Sequence, residues 1–95
     1  MAARRASDIE SALARKGFVL NAQGDHRYLT LVVEGRRTTV RTRLSHGRKD
    51  YGDDLLSAVQ SQLRLAQKRE LLELIDCSLT GEDYVGLLRQ QGILP

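Results

Sequence analysis

No stretch of this chain constrains its fold more than Gly24 to Arg43, which runs Gly-Asp-His-Arg-Tyr-Leu-Thr-Leu-Val-Val-Glu-Gly-Arg-Arg-Thr-Thr-Val-Arg-Thr-Arg. Two runs rich in β-branched and aromatic residues flank Glu34-Gly35, and glycine enters the φ > 0 region that a tight hairpin turn needs. The stretch therefore predicts a β-hairpin. With a two-residue loop Val33 faces Arg36, His26 faces Arg43 and Tyr28 faces Arg41. Side chains alternate along a strand, so this register sorts the hairpin into two faces. Leu29, Leu31 and Val33 share one with Thr38, Val40 and Thr42, and that is a core face. His26, Tyr28, Thr30 and Val32 share the other with Arg37, Thr39, Arg41 and Arg43.

Such a second face has two readings. A strand that packs on one side needs a wet side, and Arg and Thr make an acceptable one. An imidazole, a phenol and three guanidiniums on one surface also suit a phosphodiester backbone. Guanidinium grips phosphate in a bidentate fork and keeps its charge, a tyrosine ring can stack on a base, and histidine titrates near neutral pH. Everything depends on register, because a slip of one residue exchanges the two faces.

Ninety-five residues suffice for one small core. No apolar run approaches the roughly 18 residues of a membrane span, and no signal-like segment precedes the first helix. A single cysteine, Cys77, cannot form an internal disulfide, which fits a reducing cytoplasm. Charge is uneven: residues 1–50 carry eleven Lys or Arg against five Asp or Glu, whereas residues 51–95 carry four against seven. The basic half contains the hairpin, which points to a polyanionic partner for that half.

In chain order, Met1 to Ala6 reads as a loose basic arm. Ser7-Asp8-Ile9-Glu10 has the capping-box pattern and predicts a helix to about Lys16, ended by Gly17. Phe18 to Leu20 reads as a strand, and Asn21 to Asp25 as the turn into the hairpin. Leu44 to Asp54 is rich in turn formers, including Ser45-His46-Gly47. Helices are expected from an Asp53 or Asp54 cap to about Arg64, over Leu65 to Asp76, and from a Thr80 cap to Gly92, with Asp83 completing a capping box and Leu79 stapling to Tyr84. This order predicts an α+β fold, α-β-β-β-α with two additional C-terminal helices. Helices should cover the Leu29/Leu31/Val40 face and leave the His26/Arg41/Arg43 face open.

The segments Lys16-Gly17-Phe18, Gly24-Asp25-His26 with Tyr28, Arg37-Thr38-Thr39-Val40 and Gly52 to Leu63 together resemble the HicA-like (YcfA-like) toxins of type II toxin-antitoxin systems. Ser45-His46-Gly47 and Leu74-Ile75-Asp76-Cys77 are similar to a longer branch with a helical extension. The resemblance implies a double-stranded-RNA-binding-domain-like core over residues 1–64, matched over roughly 7–64, and a C-terminal extension over 65–95 packed on it. It also implies a cytoplasmic endoribonuclease that cuts mRNA and is neutralised by a HicB-type antitoxin, with no cofactor. The family's catalytic histidine lies in a Gly-Ser/Thr-His motif, and His26 matches it. Asp25 stands where the family has Ser or Thr, and brings a negative charge next to the imidazole.

RNA carries its own nucleophile, the 2′-OH, so cleavage needs a base, an acid and positive charge at the phosphate. Extending the hairpin to its open end brings Gly24–His26 toward Arg43–His46. His26 and His46 could then act as a metal-free acid–base pair, with Arg41 or Arg43 on the phosphorane and Tyr28, Arg37, Arg41 and Arg43 binding RNA. His46 also fits an ordinary loop histidine. No metal site is expected, because His46, Asp50, Asp53 and Asp54 match no ligand spacing and the two last fit helix caps. Cys77 fits a small buried hydrophobe. Surplus apolar surface on the C-terminal helices could serve a partner or a second copy of the chain. A non-catalytic RNA-binding module and a domain that binds an acidic protein remain as alternatives.

Overall fold

The computed structural model describes residues 3–23, 26–45, 50–76 and 78–94. Among these, the elements run β1 (Arg4–Arg5), α1 (Ala6–Arg15), β2 (Phe18–Gln23), β3 (His26–Val33), β4 (Arg36–Ser45), β5 (Asp50–Tyr51), α2 (Asp53–Gln62), α3 (Lys68–Ile75) and α4 (Gly81–Gln90). Strands β2, β3 and β4 form an antiparallel sheet in that order, and β1 pairs with β5 in a separate ribbon. The fold is α+β, with one helix before the three strands of the sheet and three after.

One face of the sheet is covered. Leu29, Leu31, Val40 and Leu44 are buried there with Thr42, against Ile9, Ala12 and Leu13 of α1 and Leu56 and Val59 of α2. Leu71, Leu74 and Ile75 of α3 and Tyr84 and Leu88 of α4 belong to the same apolar cluster. Tyr84 is the largest fully buried side chain. Its ring stacks on Phe18 with centroids 5.9 Å apart, and its hydroxyl donates to the Leu63 carbonyl at 2.7 Å. A buried phenol needs such an acceptor, and burial pushes the hydroxyl's pKa up.

Helix ends follow local chemistry where nothing stronger competes. Thr80 Oγ1 accepts from the Asp83 N–H at 3.1 Å, and Asp83 Oδ2 accepts from the Thr80 N–H at 3.3 Å, the expected capping box. At the other end of α4, Gly92 takes φ 77° and the Ile93 N–H reaches back to the Leu88 carbonyl at 3.0 Å, which turns Ile93 and Leu94 onto the cluster.

Elsewhere tertiary partners displace the local motif. The Ser7/Glu10 capping box does not form: α1 starts at Ala6 after Arg5, with no side-chain cap. Glu10 instead accepts both forks of Arg27 from β3, Nε at 2.6 Å and Nη2 at 3.0 Å. Two parallel bonds between full opposite charges outweigh a single carboxylate bond to a backbone N–H. The N-terminal arm is not loose at Arg4 and Arg5. Both residues pair with β5, and Arg4 holds Asp76 bidentately at 2.9 and 2.7 Å, keeping that carboxyl below its usual range.

Helix α2 follows Gly52, so Asp53 and Asp54 lie inside its first turn instead of capping it. It stops at Gln62, two residues before the expected end, because Arg64 adopts φ 62° and the Leu65 N–H returns to the Gln60 carbonyl at 3.0 Å. A new helix begins only at Lys68, where Glu70 accepts from the Ala66 and Gln67 N–H groups, both at 3.1 Å. Cys77 lies outside the described residues.

Two outcomes follow from this packing. Deleting residues 65–95 removes Leu71, Leu74, Tyr84 and Leu88 from the apolar cluster that β3 and β4 share with α1. The shortened chain should lose its cooperative thermal transition and aggregate in gel filtration. Tyr84→Phe should cost about 1–2 kcal/mol at neutral pH by orphaning the Leu63 carbonyl. The folded phenol is the weaker acid, so its contribution is complete below the unfolded pKa of about 10 and is lost as pH rises beyond it. Urea titrations of the two proteins should therefore converge above about pH 10, by up to about 1.4 kcal/mol per pH unit.

Candidate nucleic-acid interface

The candidate face is built on the β3–β4 hairpin. Glu34 and Gly35 both take positive φ, 53° and 78°, a two-residue turn whose twist matches that of the strands. From the tip, Val33 pairs with Arg36 and Val32 with Arg37, as a two-residue loop requires. The register then shifts. Thr30 pairs with Arg41, Tyr28 with Arg43 and His26 with Ser45, in place of the expected Tyr28–Arg41 and His26–Arg43 pairs.

A bulge at residues 38–40 inserts two residues into β4, and Thr38 holds it. The Thr38 hydroxyl donates to the Leu31 carbonyl at 2.9 Å and accepts from the Val40 N–H at 3.1 Å, replacing lost ladder bonds. Two is an even number, so the faces survive the shift although every partner beyond it changes. Leu29, Leu31, Val40 and Thr42 remain inside, while Arg37, Arg41 and Arg43 remain outside.

Strand β2 extends further than the sequence suggests. Asn21 to Gln23 are strand residues paired with Tyr28, Arg27 and His26, and only residues 24–25 separate β2 from β3. Alternation brings Val19 and Asn21 onto the open face. A shallow depression of about 530 Å³ crosses the three strands, lined by Val19, Leu20 and Asn21, by Tyr28 and Thr30, and by Arg37 and Arg41. Val19 and Leu20 are the exposed large apolar side chains among the described residues, at 50% and 39%. The motif-based site contained neither, although the apolar run Phe18-Val19-Leu20 had marked the strand.

Tyr28 links the polar groups. The Arg41 guanidinium lies over its ring, 5.7 Å from the centroid, a diagonal contact created by the shifted register. His26 meets the same ring edge-on at 6.2 Å. Its Nδ1 is buried and has no hydrogen-bond partner among the described residues. Arg43 lies directly across from Tyr28 and borders a second shallow depression with Arg41, Thr42 and Gln62. Gln62, which no sequence motif flags, reaches from α2 to this strand: its Oε1 accepts from the Thr42 hydroxyl and from the Arg43 N–H at 3.3 Å.

His26, Tyr28, Arg37, Arg41 and Arg43 thus share one face, and no Asp or Glu occupies any of its described positions. Such a face can neutralise phosphates, stack an unpaired base and offer an imidazole nitrogen. His46 and Asp25 lie outside the described residues. Among those described, no three His, Cys, Asp or Glu side chains converge as metal ligands, and no helix is long and apolar enough to cross a membrane.

No protein-family model matches the chain, and no curated protein or solved structure matches it. The resemblance to HicA-like toxins therefore rests on the residues quoted for it.

If Thr38 sets the register, Thr38→Val should destabilise the fold by about 1–3 kcal/mol, because it strands the Leu31 carbonyl and the Val40 N–H. It should also shift the Tyr28 ring resonances in NMR spectra as Arg41 leaves the ring. Thr39→Val, at an exposed neighbour, should do neither; equal effects from both would remove the bulge from this role.

Proposed function

We propose that the protein binds RNA on the open face of the β2–β3–β4 sheet and cleaves it there as a metal-independent mRNA interferase, a toxin restrained by a HicB-type antitoxin. The convergence of His26, Tyr28, Arg37, Arg41 and Arg43 on one face, with no Asp or Glu at its described positions, is the observation that supports this most. In the reaction His26 takes the proton of a ribose 2′-OH. The 2′ oxygen attacks the adjacent phosphorus, the bond to the 5′ oxygen breaks, and that oxygen leaves with a proton from an acid, the role for which His46 is the candidate. The products are a 2′,3′-cyclic phosphate and a 5′-hydroxyl. Arg41 and Arg43 offset the charge that builds on the phosphorane, and Tyr28 supplies a platform for an unstacked base.

A second reading is binding without cleavage. The edge-on contact between His26 and Tyr28 favours it, since a histidine that supports a stacking ring serves a binding face as well.

Incubation of the purified protein with single-stranded RNA in EDTA separates the two. His26→Ala should lower cleavage by on the order of 10² to 10⁴ while affinity changes little, and His26→Gln should be equally inactive. Arg41→Ala and Arg43→Ala should each weaken binding and flatten the plot of log affinity against log salt by about 0.7 of a unit. Intact RNA with the wild-type protein, together with the salt effect of both arginines, would leave a binding module. Unchanged slopes in both arginine variants would remove the face from RNA recognition altogether.

A further inference from the structure

The two edges of the main sheet are finished differently. The outer edge of β4 has the devices that keep an edge from pairing with another chain: a bulge, four arginines between Arg36 and Arg43, and a helix side chain, Gln62, that occupies the Arg43 N–H. Among the described residues the outer edge of β2 has none of them. Phe18-Val19-Leu20-Asn21-Ala22-Gln23 contains no charge and no proline, and its register with β3 is unbroken over six pairs.

Its free backbone groups can be located. The Val32 N–H donates to the Gly17 carbonyl at 3.0 Å, so Gly17 and Val32 form a hydrogen-bonded pair of the antiparallel ladder. Such pairs recur every second residue, which makes Val19–Thr30 and Asn21–Tyr28 hydrogen-bonded as well. Phe18, Leu20 and Ala22 then direct their N–H and C=O groups away from β3. Among the described residues nothing outside the sheet bonds to these groups. Beside them stand Val19 and Leu20, half-exposed and apolar.

We propose that the β2 edge pairs with the β2 edge of a second copy of this chain, antiparallel about a two-fold axis at Leu20, to give one six-stranded sheet. In that register Leu20 meets Leu20 of the other copy and Phe18 meets its Ala22, so the three residues with free groups meet only one another and all their outward N–H and C=O groups are satisfied. Val19 falls opposite Asn21 on the open face. The edge is self-complementary in hydrogen bonding and brings no like charges together. The arginine-bearing β4 strands become the two outer edges, five strand spacings or about 24 Å apart, beyond a Debye length of about 8 Å at physiological salt. The open faces of both copies then form one continuous surface. The pairing stands whether or not that surface binds RNA.

Sedimentation equilibrium of the full chain over a wide concentration range tests it. The mass should rise with concentration from 10.7 kDa toward twice that value. Leu20→Lys, which sets two ammonium groups at the axis, should weaken dimerisation about tenfold or more with an unchanged circular dichroism spectrum. Amide exchange at Leu20 and Ala22 should slow as concentration rises. In a Cys77→Ser background, Leu20→Cys should form a disulfide dimer on mild oxidation, because hydrogen-bonded partners lie about 5.5 Å apart, whereas Val19→Cys should not. A monomer at every concentration would overturn the proposal and leave the edge for a strand of another protein. A dimer indifferent to Leu20→Lys, or one cross-linked equally through Val19, would overturn it too.

Discussion

The two hydrogen bonds of the Thr38 hydroxyl hold together what is most specific about this molecule. They stabilise a bulge that lengthens β4 by two residues relative to β3. Without it Arg41 would sit directly opposite Tyr28; with it Arg41 reaches the ring diagonally and Arg43 takes the place across the strand. Because the insertion is even, it moves the polar groups along the sheet without turning any core residue outward. A single-residue bulge would have sent Val40, Thr42 and Leu44 to solvent and Arg41 and Arg43 into the helices.

That constraint operates only because the covered face is fully committed. Leu29, Leu31, Val40 and Leu44 have no accessible surface to speak of, and helices from both ends of the chain close over them. Tyr84, from the last helix, stacks on Phe18 at the start of the first main strand and bonds to Leu63 at the end of the second helix. Gln62, one residue earlier, fixes the outer edge of β4. The residues that shape the open face from behind therefore belong to the same packed unit as the C-terminal helices.

Long-range ion pairs anchor the periphery in the same way. Arg27 leaves the covered side of β3 to hold Glu10 on α1, and Arg4 holds Asp76 at the end of α3. Both involve basic residues from the half of the chain with excess positive charge, and neither of these two guanidiniums belongs to the open face. Arg37, Arg41 and Arg43 are the arginines that face carries, and the groups with which a polyanion would have to reckon.

The sequence by itself determined the α+β order, the hairpin and the sorting of its residues into a buried and a wet face, because alternation along a strand is a local geometric rule that survives an even shift in register. It also determined the caps of the last helix, where Thr80, Asp83 and Gly92 lie within one turn of the groups they satisfy. Only the tertiary structure decided which residues meet across the hairpin, since the bulge depends on a hydroxyl that must find the carbonyl of Leu31 seven positions away. Tertiary contact likewise took Glu10 from its local cap to Arg27, drew Arg4 and Arg5 into a ribbon with β5, and brought Gln62 to β4. Among the described residues it left the β2 edge without a partner strand while protecting the β4 edge. Each of these turns on partners distant in sequence, whose relative strength is set by how closely the packed core brings them together, and no local pattern records that distance.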